Sequence, residues 1–403
     1  MPTPVPSCTR LVGRLSVFVE TGHFRCLHCP GSLRRWRSAT SNQLAGGHAK
    51  LQSWRHENGF SLQTYLPLDS RPPGIHKARI TSNTLYMHST SHIQVTSNPV
   101  QNRPPVQPLV PPTITMEPIV HTVFESQTST WQYIVADPST KTAVIIDPVL
   151  DFDPARNAIS TKSADALLAL AKEEGYIVDY LLETHAHADH LTAAKYLQSR
   201  LSKEGKKPDI GIGKRIAGVQ ERFAKRYGIA REEYEGAFDK LLEDDEIFHV
   251  GELEAKAVHL PGHTPDHMGY LIGKNIFCGD SIFNSDVGSA RCDFPGGDAN
   301  DLYQTATKLF TLPPAFKIYT GHDYPPKTPR TAPQASSTVA EQMTQNKHLK
   351  SGTSEADFVS WRTERDAGLA EPRLMHQALQ VNIRAGKLPG DGLLHVPVKV
   401  EGW

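Results

Sequence analysis

Thr184-His185-Ala186-His187-Ala188-Asp189-His190 follows directly on the apolar run Tyr180-Leu181-Leu182 and places four metal-capable side chains within six residues. In an extended segment His185 and His187 project to the same side. Asp189 and His190 open the next stretch, Leu191 to Leu201, which reads as helix. Ligands from a strand end and a helix start can therefore converge, as a one- or two-metal centre requires. The H-x-H-x-D-H spacing is far more specific than an isolated H-x-x-H, which leaves a chance histidine-rich turn as the weaker explanation.

Three further candidate ligands lie downstream, each at a turn after a short apolar run. They are His263 in Leu260-Pro261-Gly262-His263-Thr264, Asp280 in Phe277-Cys278-Gly279-Asp280-Ser281 and His322 in Tyr319-Thr320-Gly321-His322-Asp323-Tyr324. Glycine directly precedes each ligand and permits the turn that aims an imidazole or carboxylate inward from a strand end. Taken singly, His263 or His322 reads better as a structural histidine. Their order behind the H-x-H-x-D-H stretch makes the set a metal site.

This ordered set resembles the metallo-β-lactamase superfamily over about Met116 to Pro389, and within it the glyoxalase II and persulfide dioxygenase branch. Gly288-Ser289-Ala290-Arg291-Cys292-Asp293-Phe294 is similar to the G-x-[GA]-R-x-D-F segment of persulfide dioxygenases. The tail from Thr338 to Pro389, with Asn346-Lys347-His348 and Val381-Asn382-Ile383-Arg384, resembles that of bacterial and fungal dioxygenase-like members. The basic C-terminal helical region of glyoxalase II is not recognisable in it. The resemblance implies an α+β fold, a four-layer αββα sandwich with two sheets face to face and helices outside.

It also implies a reaction. His185, His263 and Asp280 carry over as the ligands of a single Fe(II), one per chain, whose open positions take a persulfide sulfur and O₂. Glutathione persulfide would be oxidised to sulfite and glutathione. His187, Asp189, His190 and His322 are then either hydrogen-bond partners around that iron or the ligands of a second metal. With two Zn, Fe or Mn ions the site would instead hydrolyse a thioester, as glyoxalase II does. The Gly288 to Phe294 segment favours the single iron. Arg291 is the candidate for holding the substrate and Tyr324 for a hydrogen bond at the reacting atoms; a structural ion pair and a buried tyrosine are their plain alternatives. Cys292 reads best as a small packed thiol.

Composition divides the chain. Residues 1–115 hold 12 Lys or Arg against Glu20, Glu57 and Asp69, a net +9, so residues 116–403 carry −9 to balance the formal zero of the whole. A basic, Ser- and Pro-containing leader without hydrophobic periodicity suits a mitochondrial transit peptide or a disordered extension, ahead of a catalytic domain over 116–403. A matrix location is expected on the first reading and a cytoplasmic one otherwise. An over-extended start, with Met116 as the working one, explains the same composition. No apolar run reaches the roughly 18 residues of a membrane span. An acidic catalytic region without a basic groove argues against nucleic acid. Five cysteines, only Cys278 and Cys292 of them in the catalytic region, make no disulfide framework, and a lone C-x-x-C at Cys26 and Cys29 is incidental. A homodimer is compatible with the chain.

Trp131 to Val135 and Thr142 to Val149, separated by Asp137-Pro138-Ser139, read as a hairpin. Ser163 to Gly175, Ile216 to Tyr227 and Leu302 to Phe310 read as helices. Ile177 to Glu183, Asp209 to Gly213, Ile247 to Val250, Ala255 to Leu260, Tyr270 to Cys278 and Ile318 to Thr320 read as strands. Such mixed alternation by itself specifies only sheet layers covered by helices.

Overall fold

The computed structural model describes residues 106–112, 116–328 and 330–397, and the backbone of five strands upstream. The chain divides into two compact units, residues 1–101 and 102–403. In the first, β1 (Val17–Glu20) and β2 (His23–Cys26) pair as a hairpin, and β3 (Trp36–Gln43), β4 (Ala49–His56) and β5 (Ser61–Pro67) form an antiparallel sheet. The rest of the leader, and with it the expectation of a disordered or targeting extension, lies outside the described residues.

The second unit opens with β6 (Ile119–Glu125), β7 (Thr130–Ala136), β8 (Thr142–Ile146), β9 (Val149–Asp153) and β10 (Ala158–Ser160). Next come α1 (Lys162–Glu173), β11 (Ile177–Leu182), β12 (Leu191–Thr192), α2 (Ala194–Lys203), β13 (Asp209–Gly213), α3 (Ile216–Tyr227), α4 (Arg231–Tyr234) and β14 (Lys240–Leu242). Its later half runs β15 (Ile247–Val250), β16 (Leu253–His259), β17 (Met268–Ile272), β18 (Asn275–Phe277), α5 (Ala299–Leu309), β19 (Lys317–Tyr319), β20 (Ser336–Thr338), α6 (Val339–Gln345), α7 (Glu355–Ala367) and α8 (Met375–Asn382).

Two six-stranded sheets result, ordered β14-β13-β11-β8-β7-β6 and β15-β16-β17-β18-β19-β20. Alternation along the strands builds the layers. On β7 and β8, Tyr133, Val135, Val144 and Ile146 face one way and meet Ala255, Ala257, Tyr270 and Phe277 of the other sheet. Ile134, Ala136, Ala143 and Ile145 face the opposite way, onto α1, α2, α3 and α8. The second sheet turns Val258, Leu271, Ile276 and Ile318 outward under α5 and Phe358 of α7. This is the expected four-layer αββα sandwich.

Three local readings shift. The helix expected from Leu191 begins at Ala194, because Leu191 and Thr192 pair with β9 first. Tyr270 to Cys278 is two strands, turned at Gly273 with φ +60°. The compact unit also begins upstream of Met116. Leu109 is 5% exposed within the core under the second sheet, and its amide donates to Thr311 Oγ1 at 2.9 Å.

Candidate metal centre

Every predicted ligand sits in a loop leaving the end of a strand. β11 delivers His185, His187, Asp189 and His190; His263 follows β16, Asp280 follows β18 and His322 follows β19. These loops pack so closely that side chains are excluded from two of the preceding glycines. A Cβ on Gly279 would lie 2.5 Å from Thr184 Oγ1, and one on Gly321 would lie 2.3 Å from Asp280 Oδ1.

The hydrogen bonds anchor one ring nitrogen on each of His185, His187, His263 and His322 and none on His190. Asp147, at the end of β8, accepts the Thr184 amide at 2.7 Å and its hydroxyl at 2.8 Å. The hydroxyl's lone pair is then left to accept His185 Nδ1–H at 3.0 Å. Asp147 also accepts His187 Nε2–H at 3.0 Å, with Glu183 at 3.2 Å from the same nitrogen. His263 Nδ1–H donates to the Arg291 carbonyl at 2.7 Å, and His322 Nδ1–H to the Ser129 carbonyl at 3.2 Å. His185 Nε2, His187 Nδ1, both nitrogens of His190 and Asp280 Oδ1 remain buried without a hydrogen-bond partner.

Orphaned lone pairs on buried histidines and a carboxylate are costly unless something binds them, and a metal ion fits that set. One ligand atom each from His185, His263 and Asp280 lie within 4.8 Å of one another. His187, Asp189 and His190 form a second such group. His322 Nε2 stands between the two, 3.0 Å from Asp189 and 3.5 Å from Asp280. Burial and the neighbouring histidines hold the His185 pKa well below its usual range, so its lone pair is available. Burial also opposes charge on His322, but the carboxylates of Asp280 and Asp189 outweigh it and raise that pKa to about 9.

Arg291 lines the cavity over the metal group, yet its Nε and Nη2 are taken by Asp293 at 2.5 Å, and Nη2 also reaches the Ala370 carbonyl at 2.9 Å. The ion pair is therefore present, and Arg291 orients a ligand through its carbonyl as well. Tyr324 is not the buried, satisfied tyrosine of the plain reading. It is 48% exposed on the cavity wall and stacks on His322 with ring centroids 5.8 Å apart. Cys292 is packed, and burial pushes its thiol pKa far up.

The cavity measures about 840 Å³. Asp189, His263 and Asp280 line it on one side, and the tail supplies Lys347, Trp361, Arg362, Arg365 and Arg373. The tail thus does bring a basic wall to the site, which the sequence reading did not find. Arg362 is paired with Asp366, whereas Lys347, Arg365 and Arg373 have no acidic partner among the described residues. Asp147, Glu183, Asp266 and His267 were also missed. A single signal pointed to Asp147, which closes the apolar run Val144-Ile145-Ile146 as the ligands close theirs.

A two-sheet sandwich with this ligand set at its strand ends defines a metal-binding centre of the β-lactamase type. The sequence profile described as metallo-beta-lactamase superfamily matches residues 127–322. A probable metallo-hydrolase of Burkholderia pseudomallei is 43% identical over 278 residues, 66% of this chain and 92% of the relative. The mitochondrial persulfide dioxygenase ETHE1 of Homo sapiens is 30% identical over 272 residues, 66% of this chain and 89% of the relative. Among solved structures, ETHE1 from Myxococcus xanthus matches with a TM-score of 0.52 at 27% identity, over 67% of this chain and 100% of that one. The chain belongs to the metallo-beta-lactamase superfamily, in the branch that contains the ETHE1 persulfide dioxygenases.

Proposed function

We propose that the protein is an iron-dependent persulfide dioxygenase that converts glutathione persulfide, O₂ and water to glutathione and sulfite, with release of two protons. The observation that carries this reading is the group His185, His263 and Asp280. It is a compact two-histidine, one-carboxylate set, on a cavity shared with Arg291, in a chain 30% identical to a human persulfide dioxygenase. Fe(II) held there would supply adjacent open positions for a sulfur and O₂.

The chain's own residues account for the rest. Lys347, Arg365 and Arg373 line the cavity without acidic partners among the described residues and would pair with the carboxylates of glutathione. The Arg291 carbonyl fixes the His263 tautomer, which ties the dioxygenase-like segment to a metal ligand. Tyr324, half-exposed on the cavity wall and stacked on His322, would reach a substrate entering over that histidine. A mitochondrial matrix location is supported by the ETHE1 relative and by the +9 leader.

One observation favours a second reading. His187, Asp189 and His190 could hold a second ion, and a 43% identical relative is named a probable metallo-hydrolase. That reading is a glyoxalase II-type thioester hydrolase with two Zn, Fe or Mn ions. An oxygen electrode separates them. Glutathione persulfide should drive O₂ uptake with sulfite formed mole for mole. No uptake, with lactoylglutathione hydrolysed instead, would establish the hydrolase.

A further inference from the structure

We infer that Asp266 and His267, which do not line the substrate cavity, are positioning residues that hold the His185, His263 and Asp280 loops in register before a metal binds. The inference rests on the metal triad and not on the reaction assigned to it.

Both residues are fully buried in the turn between His263 and β17. Asp266 Oδ2 accepts the Ala186 amide at 2.9 Å, the peptide lying between His185 and His187. His267 Nε2 accepts the Asp280 amide at 3.0 Å. The His267 ring also stacks on His185, with centroids 4.7 Å apart and planes 19° from parallel. Just beyond, the Met268 amide donates to the Thr184 carbonyl at 2.7 Å. One short turn carrying His263 thus grips the backbone of the loops bearing the other two ligands.

The grip comes at a cost. Because His267 Nε2 accepts, Nδ1 must carry the proton, and it is buried with no partner; Asp266 Oδ1 is likewise unpaired. Each such orphan costs on the order of 1–3 kcal/mol, so apolar residues would suit a purely packing role better. The clearance is tight as well: a Cβ on Gly279 would come within 3.0 Å of His267 Cε1, so the same ring limits where the Asp280 loop can sit.

The test titrates metal-free full-length protein with Co(II), a probe that reports affinity and, through its visible spectrum, ligand geometry. His267→Leu removes the acceptor and keeps the bulk. It should bind Co(II) roughly 10–100-fold more weakly and with an altered spectrum, as expected when an outer partner of a ligand is lost, while the metal-free Tm stays near wild type. His267→Gln keeps an acceptor and should restore affinity and spectrum. Wild-type binding by His267→Leu, or equal weakness in both variants, would overturn the inference. If His267→Leu does not fold, Asp266→Ala against Asp266→Asn makes the same comparison at the Ala186 amide, and equal affinities there would overturn it. A wild-type protein that binds no Co(II) would instead overturn the triad itself.

Discussion

One methyl group added at Gly321 should cost this protein its metal. Gly321 is pinned on both sides: its amide donates to the Gly279 carbonyl at 2.8 Å, and its carbonyl accepts the Trp131 amide at 2.8 Å. A Cβ there would lie 2.3 Å from Asp280 Oδ1 and 3.0 Å from the Gly279 carbonyl carbon. Ordinary contact begins near 3.4 Å, so Oδ1 must retreat by about 1 Å. The Asp280 amide is held by His267, so the backbone cannot follow and the carboxylate must swing away. Asp280 Oδ2, which faces His263 Nε2 at 3.7 Å and His322 Nε2 at 3.5 Å, must swing with it, and metal–oxygen bonds of about 2.0–2.2 Å do not stretch by such amounts. Gly321→Ala should therefore weaken metal binding at least ~10-fold, the lower end of what disturbing a ligand's surroundings does. Gly218→Ala is the control: it lies in α3 with no atom within 4 Å of the new Cβ, and should gain up to about 1 kcal/mol from helix propensity. Metal titration and the metal-free Tm of both variants give the answer. Equal metal affinity in the two would refute the packing argument.

Other consequences are equally direct. In the metal-free protein the His322 pKa is raised to about 9 from an ordinary value near 6.5, so its stabilisation, about 3 kcal/mol, is complete below pH 6.5 and lost as pH rises through 9. His322→Gln should flatten that part of the dependence of Tm on pH, and an unchanged slope would contradict the assignment. Arg291→Ala removes the guanidinium but keeps the carbonyl that anchors His263, so metal content should hold while KM for the glutathione-linked substrate rises. An unchanged KM would confine Arg291 to its pair with Asp293. Leu109→Ala should destabilise the unit by about 2–5 kcal/mol in denaturant unfolding, because Leu109 fills the core under the second sheet. A loss below about 0.5 kcal/mol would show that the unit begins later.

The candidate ligands were legible because their chemistry is local: seven residues in four short motifs, each at a strand end, and the fold gathers them. Their partners were not. Asp266 and His267 are recognisable only once the Ala186 and Asp280 amides are seen against them, 80 and 13 residues away in the chain. The turn at Gly273 was hidden because β17 and β18 are buried throughout, which leaves no polar alternation to mark two strands. The tail helices escaped for the opposite reason. On α7 the buried face includes Arg362 and Asp366, which pair with each other and break the apolar period. Leu109 lay in a proline-rich stretch that reads as the end of the leader, although its side chain is core.

The decisive measurement is metal analysis of the purified full-length protein beside its His263→Ala variant. A mononuclear iron site gives about one iron per wild-type chain and almost none in the variant, with both folded. Two metal ions per wild-type chain, or iron retained without His263, would contradict it.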